Sequence, residues 1–263
     1  MARRTLRTER AMNEPRIALV TGAASGLARG ICVDLAAHNY RVAVNYRSSA
    51  DAARETLART NAARSDDHAL FQADVSDPSQ AERLVHAVEQ RYGRLDVLVN
   101  VAGDIVVKPF GRTTLEEYRA VVDGNLTSTF ACTHAALPGM IERRFGRIIC
   151  FGMNGSSTTL AARNMSAYAA AKAGVVALAK CVAIEAAPYN VTCNVIEPGD
   201  IREGKDLDIA AAAQLAKPRN PTLHAGSWQD IAYAVRCLVG DESGYITAQV
   251  LAISGGLQEP YEG

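Results

Sequence analysis

Residues 17–30 read Ile17-Ala18-Leu19-Val20-Thr21-Gly22-Ala23-Ala24-Ser25-Gly26-Leu27-Ala28-Arg29-Gly30. A short apolar run passes directly into a turn holding Thr21, Gly22, Ser25 and Gly26. A helical pattern through Ile31, Leu35 and Ala36 follows. Strand, glycine-rich turn, helix is the first unit of a dinucleotide-binding fold. Glycine lets the backbone turn sharply and approach a pyrophosphate, which rests on the N–H groups at the helix start. An ordinary βα turn is the plainer alternative. The threonine, serine and two glycines falling together behind the strand weigh against it.

Working outward, Arg41–Asn45 reads as a second strand that ends in Tyr46-Arg47-Ser48-Ser49. A site for NAD usually carries an acid here for the ribose 2′-hydroxyl. None is present, and Arg47 with Ser48 suits a 2′-phosphate instead. The expected cofactor is therefore NADPH/NADP+ rather than NADH, an exposed surface arginine being the alternative. Residues 51–63 read as a helix and His68–Ala73 as a strand leading to Asp74-Val75. Asp77-Pro78 starts the next helix, with proline in its first turn. Leu95–Val99 is an apolar strand of the kind buried in a parallel sheet. It runs into Asn100-Val101-Ala102-Gly103, where small residues leave room for a ligand.

A helical stretch over 114–143 is expected to break near Pro138. Asn125 and Gly124 inside it are unfavourable in mid-helix, so either a distortion with a functional amide or a satisfied core residue is expected. Arg147–Gly152 is a fifth strand, and Met153–Thr159 a loop. Val191–Ile196 is a sixth strand, ending in Glu197-Pro198-Gly199-Asp200-Ile201. Residues 202–223 suit either a mobile substrate lid or a pair of surface helices. Trp228–Val239 is a helix and Gln249–Ile253 the seventh strand. The alternation implies an α/β Rossmann fold: one doubly wound, seven-stranded parallel sheet with helices on both faces. Ligands bind at the carboxyl ends of such strands.

The residues that suggest chemistry are Tyr168-Ala-Ala-Ala-Lys172. Alanine favours helix, and positions four apart share a helix face. A free tyrosine titrates near about 10 and is a poor acid at neutral pH. A cation held nearby favours tyrosinate and lowers that value, which makes proton exchange with a carbonyl or alcohol oxygen feasible. Alone, the pair also suits a surface tyrosine beside a solvated lysine.

Composition sets the outer limits. The 263 residues fit one large α/β domain, expected over 15–263, after a polar, disordered arm at 1–14. Lys+Arg and Asp+Glu are 28 each. Zero net charge argues against a nucleic-acid or anionic-membrane partner held by bulk charge. The apolar run Ala169–Ala179 is too short to span a bilayer. The six cysteines show no paired spacing and read as buried, reduced thiols of a cytoplasmic protein. The five histidines show no ligand spacing, and no metal site is expected.

The ordered set Thr21-Gly-x3-Gly26, Asp74-Val75, Asn100-Val-Ala-Gly103, Asn125, Tyr168-x3-Lys172, Pro198-Gly199 and Gly255-Gly256 resembles the classical short-chain dehydrogenases/reductases over about residues 16–257. The resemblance implies a nicotinamide cofactor and a homotetramer or homodimer. It implies Tyr168 as general acid in carbonyl reduction and Lys172 as the group that binds the nicotinamide ribose and lowers the tyrosine pKa. Asn125 would hold a relay water, and Asp74 and Val75 would meet the adenine. Gly22, Ser25, Gly26, Leu27, Asn100, Ala102, Gly103, Pro198, Gly199 and Ile201 would line the cofactor, Ile201 through its backbone at the carboxamide. Tyr46-Arg47-Ser48 resembles the NADP-preferring 3-oxoacyl-carrier-protein reductases. Related enoyl reductases space the tyrosine and lysine more widely.

Four positions depart from that pattern. Ala28 replaces the third glycine of the turn, and Ala248 a glycine before the last strand, read as a packing matter. Glu203 stands where a threonine usually follows Pro-Gly. Met153 takes the place of the catalytic serine when counted from the fifth strand, which leaves Ser156 or Ser157, or no serine, for that role. The implied function is NADPH-dependent reduction of a ketone or aldehyde, a 3-oxoacyl thioester being the nearest guess. The alternative is an NADP(H)-binding protein with weak or no catalysis. Ala167, Ala170, Ala171 and Gly174 suggest close helix approach, expected at a subunit interface.

Overall fold

The computed structural model describes residues 14–201 and 206–257. Seven strands form one sheet in the order β3-β2-β1-β4-β5-β6-β7. They are β1 (Arg16–Val20), β2 (Tyr40–Tyr46), β3 (Ala69–Gln72), β4 (Val97–Asn100), β5 (Gly146–Phe151), β6 (Val191–Pro198) and β7 (Val250–Ile253). Every pairing is parallel. All seven carboxyl ends therefore lie along one edge, and the strand order reverses between β1 and β4. That is where the expected fold places its ligand.

Alternate residues of each strand feed two cores, following the two-residue side-chain period. Ile17, Leu19, Leu98 and Ile148 face α3 (Pro78–Tyr92), α5 (Ser128–Arg143) and α6 (Ser166–Ala186). Ala18, Val20, Val99 and Ile149 face α1 (Gly26–Ala37) and α8 (Trp228–Val239). The helix α2 (Ala50–Ala63) packs on α1 through buried Ala53, Thr56 and Thr60. Asp77 caps α3 by accepting from the Ser79 and Gln80 N–H groups, with Pro78 next to it as expected.

Several expectations are corrected. The 114–143 stretch does not break at Pro138, which lies inside α5 on its exposed side, where water can satisfy the carbonyl freed by proline. It is interrupted instead by a π-helical segment, Asp123–Thr127, between α4 (Leu115–Val122) and α5. Ala248 adopts φ 58. A glycine there would answer this left-handed backbone, while Ala248 also packs against the core. Ala167 and Ala171 pack on Val121 of the same chain, and a Cβ on Gly174 would meet Leu126, so these three serve a close internal contact, while Ala170 is exposed.

The helix from Ser166 through the turn ending at Tyr189 has 24 residues and a mean hydropathy of 1.6, long and apolar enough to cross a membrane. The apolar run alone understated it. Here Val175, Val176, Ala179 and Ala183 bury that apolarity against the sheet. Within 206–223 the only helix is α7 (Ile209–Ala212), so no pair of surface helices forms there. The arm at 1–13 and Glu203 lie outside the described residues. All six cysteines are free; four are buried, while Cys181 and Cys237 are exposed, contrary to expectation.

Candidate active site

A cleft of about 370 Å³ opens at the switch point, lined by Gly22, Ser25, Tyr46, Arg47, Ser48, Asp74, Val75, Ala102 and Gly103 among others. Its floor is built by buried polar side chains. Thr21 Oγ1 accepts from the N–H groups of Val101 and Ala102, which fixes the turn after β4. Asn45 Oδ1 accepts from Gly22 N–H at 3.1 Å, and its amide donates to the carbonyls of Phe71 and Ala73. One side chain thus joins the ends of β1, β2 and β3. Asp74 accepts from the Ser76 N–H and hydroxyl.

The residues fit a dinucleotide on steric grounds. Gly22 has φ 65, and a Cβ there would lie 3.0 Å from Ala102 Cα. A Cβ on Gly103 would collide with Asn125 Oδ1. Any side chain at either position would fill the cradle or distort its wall. Arg47 reaches the rim, where Nη1 lies 3.2 Å from Asp104 Oδ2 with both side chains exposed. Not every expected residue lines this space. The Asn100 amide turns down to donate to Thr133 Oγ1 and braces β4 on α5. Pro198, Gly199 and Ile201 stand further along the same edge, where Gly199 N–H donates to the Ile253 carbonyl.

Beyond the cleft, α6 carries Tyr168 and Lys172. The Lys172 ammonium is 5.4 Å from the Tyr168 ring centre, and it donates to the Phe151 carbonyl at the end of β5 at 2.8 Å. Burial pushes this lysine down to about 8. Burial also pushes the Tyr168 phenol up to about 12, a correction to the expected lowering. Desolvation outweighs the neighbouring cation in the unliganded chain.

The π segment places Asn125 opposite this helix. Its amide donates to the carbonyls of Asp104 at 2.8 Å and Val121 at 2.9 Å. Its buried Oδ1 accepts no hydrogen bond among the described residues. A buried acceptor without a partner is costly, so this oxygen is not a satisfied core group.

The loop after β5 departs most from expectation. Ser156 is buried, and its hydroxyl donates to Glu197 Oε1 at 2.7 Å while accepting from Met153 N–H. Ser157 gives Glu197 both its N–H, at 2.7 Å to Oε1, and its hydroxyl, at 3.2 Å to Oε2. Gly155 N–H donates to Oε2 at 3.1 Å. Both candidate serines are therefore tied to a carboxylate only 2% exposed. Neither Glu197 nor Asn45 was singled out in the sequence. The available signal was a polar side chain inside an apolar strand.

A parallel α/β sheet with a glycine-walled cleft at its switch point is the architecture of dinucleotide-binding proteins, and α6 stands beyond the cleft with Tyr168 and Lys172. The family model described as "Enoyl-(Acyl carrier protein) reductase" matches residues 22–258. An acetoacetyl-CoA reductase of Allochromatium vinosum is 37% identical over 92% of this chain and 98% of its own length. The 3-oxoacyl-[acyl-carrier-protein] reductase FabG of Staphylococcus aureus is 36% identical over 94% of this chain and 99% of its own. The solved structure of levodione reductase superposes with a TM-score of 0.81 at 32% identity, covering 92% and 96% of the two chains. The chain belongs to the short-chain dehydrogenase/reductase family.

Proposed function

We propose that this oxidoreductase is an NADPH-dependent carbonyl reductase acting on a ketone or aldehyde, with a 3-oxoacyl thioester as the substrate class to try first. The observation that carries the reading is the Tyr168–Lys172 pair on one helix face beside the cleft. The two relatives named for reduction of acetoacetyl-CoA and 3-oxoacyl groups support the substrate class. The Tyr-x3-Lys spacing supports carbonyl over enoyl reduction.

When bound, the reduced nicotinamide supplies the hydride that adds to the carbonyl carbon. Tyr168 gives its phenolic proton to the carbonyl oxygen. Its raised pKa keeps that proton on the phenol at neutral pH. Lys172 steadies the charge that forms on the phenol oxygen and holds the ribose hydroxyls. Asn125 Oδ1 holds a water that refills the tyrosine's proton. Arg47 and Ser48 would take the 2′-phosphate, Arg47 through the donors it does not give to Asp104. Asp74 and Val75 would meet the adenine, Gly22, Ser25, Gly26 and Leu27 the pyrophosphate, and the Ile201 backbone the carboxamide. A homotetramer or homodimer in the cytoplasm belongs to the same proposal; exposed Phe110, Leu115, Tyr118 and Phe130 support association, and buried free thiols support a reducing compartment.

The test is NADPH oxidation with an acetoacetyl thioester and a panel of ketones. Tyr168→Phe is expected to lose about 10²–10⁴-fold in turnover while still binding NADPH. Undiminished turnover in that variant overturns Tyr168 as the acid. The hydrogen bonding of Ser156 and Ser157 to Glu197 favours a second reading, a cofactor-binding protein without turnover. Tight NADPH binding with no activity on any carbonyl would support it.

A further inference from the structure

The buried Glu197 carboxylate is unusual in its donors. Each oxygen receives one backbone N–H, Oε1 from Ser157 and Oε2 from Gly155, and one hydroxyl, from Ser156 and Ser157 respectively. Hydroxyls can turn, but backbone N–H groups cannot. Only a side chain that accepts at both ends satisfies this nest, and glutamine in either orientation would turn its NH2 against a backbone N–H. The loop is then linked onward. Ser156 N–H donates to the Met153 carbonyl, Met153 N–H to Ser156 Oγ, and Gly152 N–H to Ile196. A Cβ on Gly152 would lie 2.8 Å from Ser156 Oγ and 2.9 Å from Glu197 Cγ. The residue before Gly152 is Phe151, whose carbonyl holds the Lys172 ammonium.

We propose that Glu197 is a positioning residue: it locks the 153–160 loop onto β6, and through Met153, Gly152 and the Phe151 carbonyl it holds Lys172 and the substrate-facing end of β5 in register. Ser156 and Ser157 belong to this lock, and neither hydroxyl serves the substrate oxygen. The catalytic half of the inference rests on the carbonyl reductase reading; the lock itself does not. A displacement of about 1 Å at a catalytic group can cost about 10²-fold in rate, so the lock should register in turnover more than in binding.

The experiment compares wild type, Glu197→Gln and Ser156→Ala by hydrogen exchange of the 152–160 peptide, by NADPH binding and by steady-state kinetics. Glu197→Gln is expected to speed exchange of that peptide at least about tenfold, since buried charge-assisted hydrogen bonds are lost. It should lower kcat by about 10²-fold and weaken NADPH binding by far less, since the other cofactor contacts stay in place. Ser156→Ala should move exchange and kcat together, each by less. Unchanged exchange in Glu197→Gln overturns the lock. Faster exchange with unchanged kcat overturns the positioning role. A large loss of kcat in Ser156→Ala with unchanged exchange overturns the assignment by making Ser156 a catalytic hydroxyl. If wild type turns over no carbonyl, the reductase reading fails, and exchange still decides the lock. If Glu197→Gln does not fold, the Ser156→Ala/Ser157→Ala double variant keeps the carboxylate and both backbone donors. Faster 152–160 exchange there supports the lock, and unchanged exchange overturns it.

Discussion

Lys172 spends one hydrogen bond on the Phe151 carbonyl and keeps its charge near the Tyr168 ring. Its burial moves it from the ordinary 10.5 to about 8. The lysine is thus cationic below about pH 8 and neutral above, while Tyr168 keeps its proton until about 12. Carbonyl reduction should therefore run level at neutral pH and decline as pH rises through about 8, as read by kcat/KM against pH. A decline only near 10.5 would contradict the burial effect. At the loop, Met153 takes the family's serine position when counted from β5, and a thioether donates no hydrogen bond. Met153→Ser is expected to raise kcat about tenfold or more, given the worth of an oxyanion donor. At the rim, Arg47→Ala should weaken NADPH about 10- to 100-fold, the worth of a charge-assisted hydrogen bond, and leave NADH nearly unmoved. Fluorescence titration of each nucleotide checks it.

Among the elements, α1 and α8 fit closely. A Cβ on Gly30 would lie 2.6 Å from Trp228 Cε3. Gly30→Ala should cost about 1–3 kcal/mol as overpacking, measured as a lowered denaturation midpoint. What the sequence revealed about elements followed from local rules. The strands were legible as short apolar runs, α8 as a helical pattern, and α3 also by its Asp77-Pro78 start, because pattern and cap lie within a few residues. The π segment was legible only as a discomfort at Asn125. There the Asn125 amide donates to the Asp104 carbonyl, 21 positions upstream, a partner that no local pattern announces. The partner of the serine loop was hidden for a similar reason. Its partner Glu197 is 41 positions away from Ser156, and neither counting from β5 nor back from Tyr168 brings it into view. Tyr168 and Lys172 were found because their spacing is itself local, whereas the burial that sets their acidity is not.

For the whole molecule, the six thiols carry no disulfide. The melting temperature should be the same with and without reductant, and a drop on reduction would reveal a bond absent here. The fold class was readable because strands and helices alternate along the chain. The edge on which the site lies was readable because every connection is a crossover.

That connectivity governs how the molecule comes into being. No two neighbouring strands are joined by a hairpin. The contact between Ile17 N–H and Asp96, beside the β1–β4 pairing, closes a loop of 79 positions. Such closures carry their entropic cost before any contact rewards them. The two walls of the cleft lie on opposite sides of that closure. During synthesis the first third of the chain must wait for β4, and a nucleotide arriving early finds half a pocket. The cofactor can reward a finished sheet; it cannot recruit one.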